Sequence, residues 1–206
     1  MHTKRYTGYG YNDKFTNDLY DWEIREPRVW VDKAQLLKSS ADFLFDEALV
    51  YQNKVYASEK TYFDASHEEV LKSHYLTVSM MLYGYSLECE LKAILAYKHK
   101  EDSNEEVIKR YFKHDLEWLH TKVTEEVSPK YFVDVTVEDT YLLDRLTTFS
   151  TWAGRYPVPK KKVDMGPHET PLGGVSLLSN VTLCDNLLVD RLYNIYINII
   201  KDLLKE

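Results

Sequence analysis

Cysteine is scarce in this chain, and the two that occur cannot build a metal cluster. Cys89 and Cys184 are the whole supply in 206 residues, far apart and in no Cys-x-x-Cys pair. Both fall inside apolar helical patterns and read as core filler, with a disulfide or a reactive thiol as the alternative. There is no His-Glu-x-x-His, and Gly8-Tyr-Gly10 and Gly173-Gly174 are too short and too isolated to be phosphate-cradling loops. A Gly-x-Ser-x-Gly elbow is missing as well. These absences argue against a standard hydrolase or dehydrogenase, and neither a metal nor a cofactor is expected. No apolar run approaches the roughly 18 residues of a membrane span, and the opening MHTKRYTGYG lacks a signal pattern. The expectation is a cytoplasmic protein with no membrane association. Surplus basic charge is lacking too. A net charge of −7 opposes broad coating of nucleic acid but leaves room for a local basic patch.

What is present points to helices. From His74 to Lys100, Leu76, Met80, Tyr83, Leu87, Leu91 and Ile94 recur at helical spacing. At about 100° per residue, Val78, Leu82, Cys89 and Ala96 fall on the far side of the same helix. A helix apolar on two sides is central, touched by neighbours on both. Gly84 within it removes a side chain where another backbone can approach. Ser66 with Glu69 fits a capping box that opens this helix at His67.

Around that centre the chain divides into an aromatic arm, residues 1–27, and a helical domain, residues 28–206. Gly8, Gly10 and Asn12 punctuate the arm, and Pro27 closes it. The first strong helix is predicted from about Arg28 to Tyr51, followed by a polar connection from Asn53 to Ala65. Ser103 with Glu106 starts a short helix, Asp115 another, and Thr136 with Asp139 a third that ends near Gly154. Residues 155–178 form the long loop, with four of the six prolines. The last helix is predicted from about Val181 to Leu204, striped by Cys184, Leu188, Leu192, Ile195, Ile199 and Leu203. Its width suggests a homodimer built on that stripe. Only Tyr131 to Val137 alternates like a strand. The fold class is all-α, a bundle of about four to six helices.

Polar residues in apolar or turn positions are the candidate site. Glu88 and Lys92 lie one turn apart on the central helix, where a plain surface pair is the simplest explanation. His114 follows the basic run Lys109, Arg110 and Lys113, where Asp115 has a helix cap to supply. Arg155 leaves a helix C-terminus that favours a cation. Lys160, Lys161 and Lys162 follow it, so the loop is a dense positive patch suited to anions.

These residues also carry a family likeness. Gly84-Tyr-Ser-Leu-Glu-Cys-Glu-Leu-Lys-Ala93, then Lys113-His-Asp-Leu116, then Arg155-Tyr-Pro157, resembles the HEPN superfamily across about residues 28–204. The resemblance implies an up-and-down helical bundle that commonly dimerises. It implies a nucleotide- or RNA-associated module, as in toxin–antitoxin or antiviral systems, with an antitoxin or nucleotidyltransferase as partner. Glu88, Lys92, His114, Arg155, Lys160 and Lys161 would then bind the ligand. Nuclease members of the family use an Arg, four to six residues and a His. Here three residues separate Arg110 from His114, and Arg155 meets no histidine before His168. The spacing ranks binding first, an interaction scaffold second, and a metal-independent ribonuclease using His114 and Arg155 third.

Overall fold

The computed structural model describes residues 13–58, 66, 72, 74–111, 113–153, 166–171, 173–177, 180–182 and 184–205. Among them are seven α-helices: α1 (Asp13–Arg25), α2 (Pro27–Ser58), α3 (Tyr75–Lys98), α4 (Asn104–Tyr111), α5 (Leu116–Glu126), α6 (Val137–Thr148) and α7 (Asp185–Leu203). A 3₁₀ turn at Pro129–Phe132 links α5 to α6, and a π-helical turn, Phe149–Ala153, prolongs α6. The all-α expectation holds. No helix among the described residues is long and apolar enough to cross a membrane.

The bundle is assembled on α3, which packs against each of the other six helices. Met80, Tyr83, Leu87, Leu91 and Ile94 are fully enclosed on its main face, and Cys89 and Ala96 are buried on the other. The largest partner is α2, which brings Ala34, Ala41, Phe45 and Ala48 to the contact. Three alanines on the facing surface let the backbones come close, and Ser86 of α3 donates to the Ala34 carbonyl at 2.8 Å. Burying such side chains stabilises the fold by about 1.5–3 kcal/mol each before chain entropy is charged against it.

Helix starts follow the predicted caps. The Asp115 carboxylate accepts from the Trp118 amide at 2.9 Å, and Thr136 with Asp139 forms a complete capping box. Ser103 and Glu106 satisfy each other's amides before α4. Pro129 ends α5 by forcing the chain into the 3₁₀ turn.

Several expectations are corrected. Part of the aromatic arm is helix α1, which adds to the six helices from Pro27 onward, and Ile24 is in the core, its carbonyl accepting from the Trp30 indole at 3.0 Å. The helix-breaking Gly8, Gly10 and Asn12 all precede Asp13, so nothing interrupts the stretch up to Arg25; residues 1–12 lie outside the described residues. Helix α3 begins at Tyr75, and His67 and Glu69 of the supposed capping box lie outside the described residues. Helix α2 runs on to Ser58, past the predicted end at Tyr51, since no glycine or proline stops it.

Tyr131 to Val137 forms no strand; the pairing is Pro167–Glu169 with Val175–Leu177, an antiparallel hairpin inside the predicted loop. Gly173 and Gly174 close it at φ of 82° and 96°, which only glycine adopts without strain. Gly154 lies outside the described residues. Helix α7 starts at Asp185, leaving Cys184 exposed on the preceding turn rather than in the core. The stripe offered for dimerisation faces inward instead: Leu192, Ile199 and Leu203 are buried in the protomer's own core.

Gly84 sits where the sequence placed it, at a tight crossing. A Cβ there would lie 3.0 Å from the Leu146 carbonyl oxygen and 3.5 Å from Ser150 Cβ, both across the α3–α6 contact. The π turn adds a further tie, since its Ser150 carbonyl accepts from the Tyr85 hydroxyl at 2.9 Å. Gly84→Leu is expected to overpack this crossing and cost about 1–3 kcal/mol, read as a lower melting temperature. An unchanged melt would contradict the close approach.

Candidate functional site

Glu88, Lys92 and His114 come together although 26 residues separate Glu88 from His114. Helix α3 supplies the first two on adjacent turns, and the turn before α5 supplies the third. The Lys92 ammonium is 2.6 Å from Glu88 Oε1, with both side chains buried. This is therefore not the solvated surface pair that helical spacing alone suggests. His114 Nδ1 lies 3.1 Å from Oε1 and 3.0 Å from Oε2 of the same carboxylate. A carboxylate accepts only, so Nδ1 must carry the proton it receives, which fixes the ring's tautomer. The His114 side chain is 64% exposed. A buried acid thus holds the inner edge of an imidazole whose bulk faces water. Lys92 also lies 5.7 Å from the Trp30 ring centroid, a cation–π contact that ties the cluster to α2.

Arg155, Lys160 and Lys161, the remaining predicted site residues, lie outside the described residues.

Next along the chain, α4 and α5 border an open cleft of about 560 Å³ lined by Tyr111, Lys113 and Trp118. Lys113, the residue before His114, places its ammonium 4.0 Å from the Trp118 ring centroid. Other charges at the rim are paired. Both His99 nitrogens meet carboxylates, Asp102 at 3.0 Å and Glu126 at 2.8 Å, and Lys122 meets Glu125 at 2.6 Å. The volume is in the range of small-molecule sites. Among the described residues no cluster of His, Cys, Asp or Glu could hold a metal.

Three further charged groups were not legible beforehand. Arg145 makes a bidentate pair with buried Asp185, Nη1 to Oδ1 and Nη2 to Oδ2, each 2.7 Å. The same guanidinium donates to the Asn180 carbonyl, and Thr182 donates twice to Asp185. Arg191 reaches the buried cap residue Asp139, Nε to Oδ1 at 3.0 Å. Only residue separations of 40 and 52 connect these pairs, so no local pattern announces them. Glu90 is the third. Its carboxyl is fully enclosed, neither oxygen has a hydrogen-bond partner among the described residues, and burial pushes its acid up to about 9. It is a neutral acid at pH 7. Burial also pushes the Cys89 thiol up to about 12, which makes it inert.

No protein-family model, curated protein or solved structure matches the chain.

Two outcomes follow from the buried charges. Lys92→Met strands Glu88 and is expected to cost about 3 kcal/mol, whereas Glu88→Gln with Lys92→Met is expected to restore most of it. Equal losses in the single and double variants, measured by urea unfolding, would show the pair to be uncoupled. Glu90 has its folded acid value raised from 4.5 to about 9. Its penalty is therefore absent below pH 4.5, grows as pH rises, and levels off above pH 9. Glu90→Gln is expected to raise the melting temperature at pH 8 and to leave it unchanged near pH 4.5. A gain independent of pH would refute the neutral-acid assignment.

Proposed function

We propose that the chain is a binding module for a phosphate-bearing ligand, a nucleotide or a short stretch of RNA. The observation that carries this reading is His114, held by a buried carboxylate and presented to solvent beside Lys113. Lys113 supplies a cation for a phosphate oxygen, and the His114 ring, with its Nδ1–H given to Glu88, would donate to the same oxygen from Nε2 when both nitrogens carry a proton. The cleft between α4 and α5 has the volume for a base, and the Trp118 ring is a stacking surface on its wall. Arg155, Lys160 and Lys161 would add cationic contacts from the loop. The likeness to HEPN domains supports the same reading, and with it a place beside an antitoxin or nucleotidyltransferase.

Cleavage of RNA is the second reading, favoured by one feature. A histidine held at Nδ1 by a carboxylate has the arrangement of a general acid–base. It would still need an arginine at the reacting phosphate, a role only Arg155 is placed in by the sequence.

Calorimetric titration with ATP and with a short single-stranded RNA is the test. His114→Ala and Lys113→Ala are each expected to weaken binding about tenfold, or about 1.4 kcal/mol. Lys205→Ala, on the distant C-terminal turn, is expected to change nothing. Failure of the unaltered protein to bind either probe would remove the proposal, and RNA shortened during the titration would move cleavage ahead of binding.

A further inference from the structure

Among the described histidines, His114 alone joins an exposed ring to a fixed tautomer. Its Nδ1 donates to the carboxylate of buried Glu88, which Lys92 holds at 2.6 Å from within the bundle. His99 has a carboxylate on each nitrogen, and His120 is buried with Nδ1 against the Tyr196 hydroxyl. Nε2 of His168 is shut from water. His74 is exposed but has no carboxylate partner among the described residues. In His114 the Nδ1 proton is committed to Glu88, so the lone pair of the neutral ring sits on Nε2. That nitrogen has no partner among the described residues, and the side chain around it is mostly exposed. The ring is built as a nucleophile facing water, with a carboxylate behind it.

We propose that His114 is a phosphoryl-accepting residue, whose Nε2 takes the group from a donor with a nitrogen–phosphorus bond, the chemistry of a phosphohistidine on a partner protein. The Nε2 lone pair attacks phosphorus and forms the new N–P bond. The donor's N–P bond breaks, and the departing nitrogen leaves with that electron pair. The ring gains a positive charge in this step, and the Nδ1–H bond to Glu88 stabilises the charge as it develops. Lys113, the preceding residue, supplies a cation for the phosphoryl oxygens. The bond formed and the bond broken are of one kind, so transfer needs no further source of energy and runs in either direction. Glu88 is a positioning residue here, since it touches the ring and never the phosphoryl group. The site is the one used by the phosphate-binding reading, but the proposal stands without that reading, because transfer requires no bound nucleotide or RNA.

Inorganic phosphoramidate is the probe, added to the full chain at neutral pH and followed by peptide mass mapping over time. Fragment ions separate His114 from His120, which share a tryptic peptide. Label is expected on His114 about tenfold faster than on His74, and phosphorus NMR is expected to place it on Nε2. The double variant Glu88→Gln with Lys92→Met supplies the second measurement, since it leaves no buried charge stranded. Its glutamine carbonyl can still accept from Nδ1 but has no charge to offer the ring. This variant is expected to keep the circular-dichroism spectrum of the unaltered chain and the labelling rate of His74, while labelling of His114 slows about tenfold. Equal rates at His74 and His114 in the unaltered chain overturn the proposal. So does a phosphoryl group on Nδ1, or an undiminished His114 rate in the folded double variant.

Discussion

Burial of α3 all round from Ser86 to Ala96 is the constraint from which the rest of the structure follows. A stretch of helix with no face to water must find a partner for every charge it carries, or lose the charge. Both solutions occur within two turns. Glu88 is met by Lys92 and His114, while Glu90 has no hydrogen-bond partner among the described residues and burial pushes its acid up to about 9. Removing an ionised carboxylate from water without compensation costs far more than shifting its protonation. The candidate site is a by-product of the first solution: pairing Glu88 brings the turn before α5 against α3.

Elsewhere, directional polar contacts fix what apolar packing leaves free. Leucine and isoleucine stripes specify that α7 lies on α3, but they tolerate sliding and rotation. Lys38 bridges Asp42 and Asp190, 2.8 and 2.5 Å away, linking α2 to α7. Tyr83 donates to Asp42 at 2.8 Å and brings α3 into the same network. Arg191 with Asp139 and Arg145 with Asp185 attach α7 to α6 at two heights. These ties set a register, and their mutual satisfaction keeps the polar groups compatible with burial.

How much of this was legible depends on whether the signal was local. The caps at Ser103, Asp115 and Thr136 involve neighbours three residues on, so sequence spacing identifies them. Gly84 was readable because its helix is apolar on two faces. The meeting of Glu88 with His114 was inferable only from the cost of burying Glu88 alone, since His114 stays exposed. Asp139 was legible as a cap, yet Arg191 beside it was not, because that contact depends on how α6 and α7 are docked. Helix α1 was obscured by the glycines that precede it, and the small hairpin by the prolines around it. On α7, an apolar stripe wide enough for a partner subunit proved to face the protomer's own core, a distinction that periodicity cannot make.

The Arg145–Asp185 pair joins positions 40 residues apart and holds both ends of the intervening segment to the bundle. Its anchorage does not depend on what lies between. Closing a flexible loop grows costlier only with the logarithm of its length, about 0.6 kcal/mol for each doubling. Insertions in the hairpin at 167–177, away from the core residues Leu146 and Phe149, should therefore leave the seven helices almost undisturbed. In evolutionary terms the hairpin is a replaceable cassette on a fixed frame.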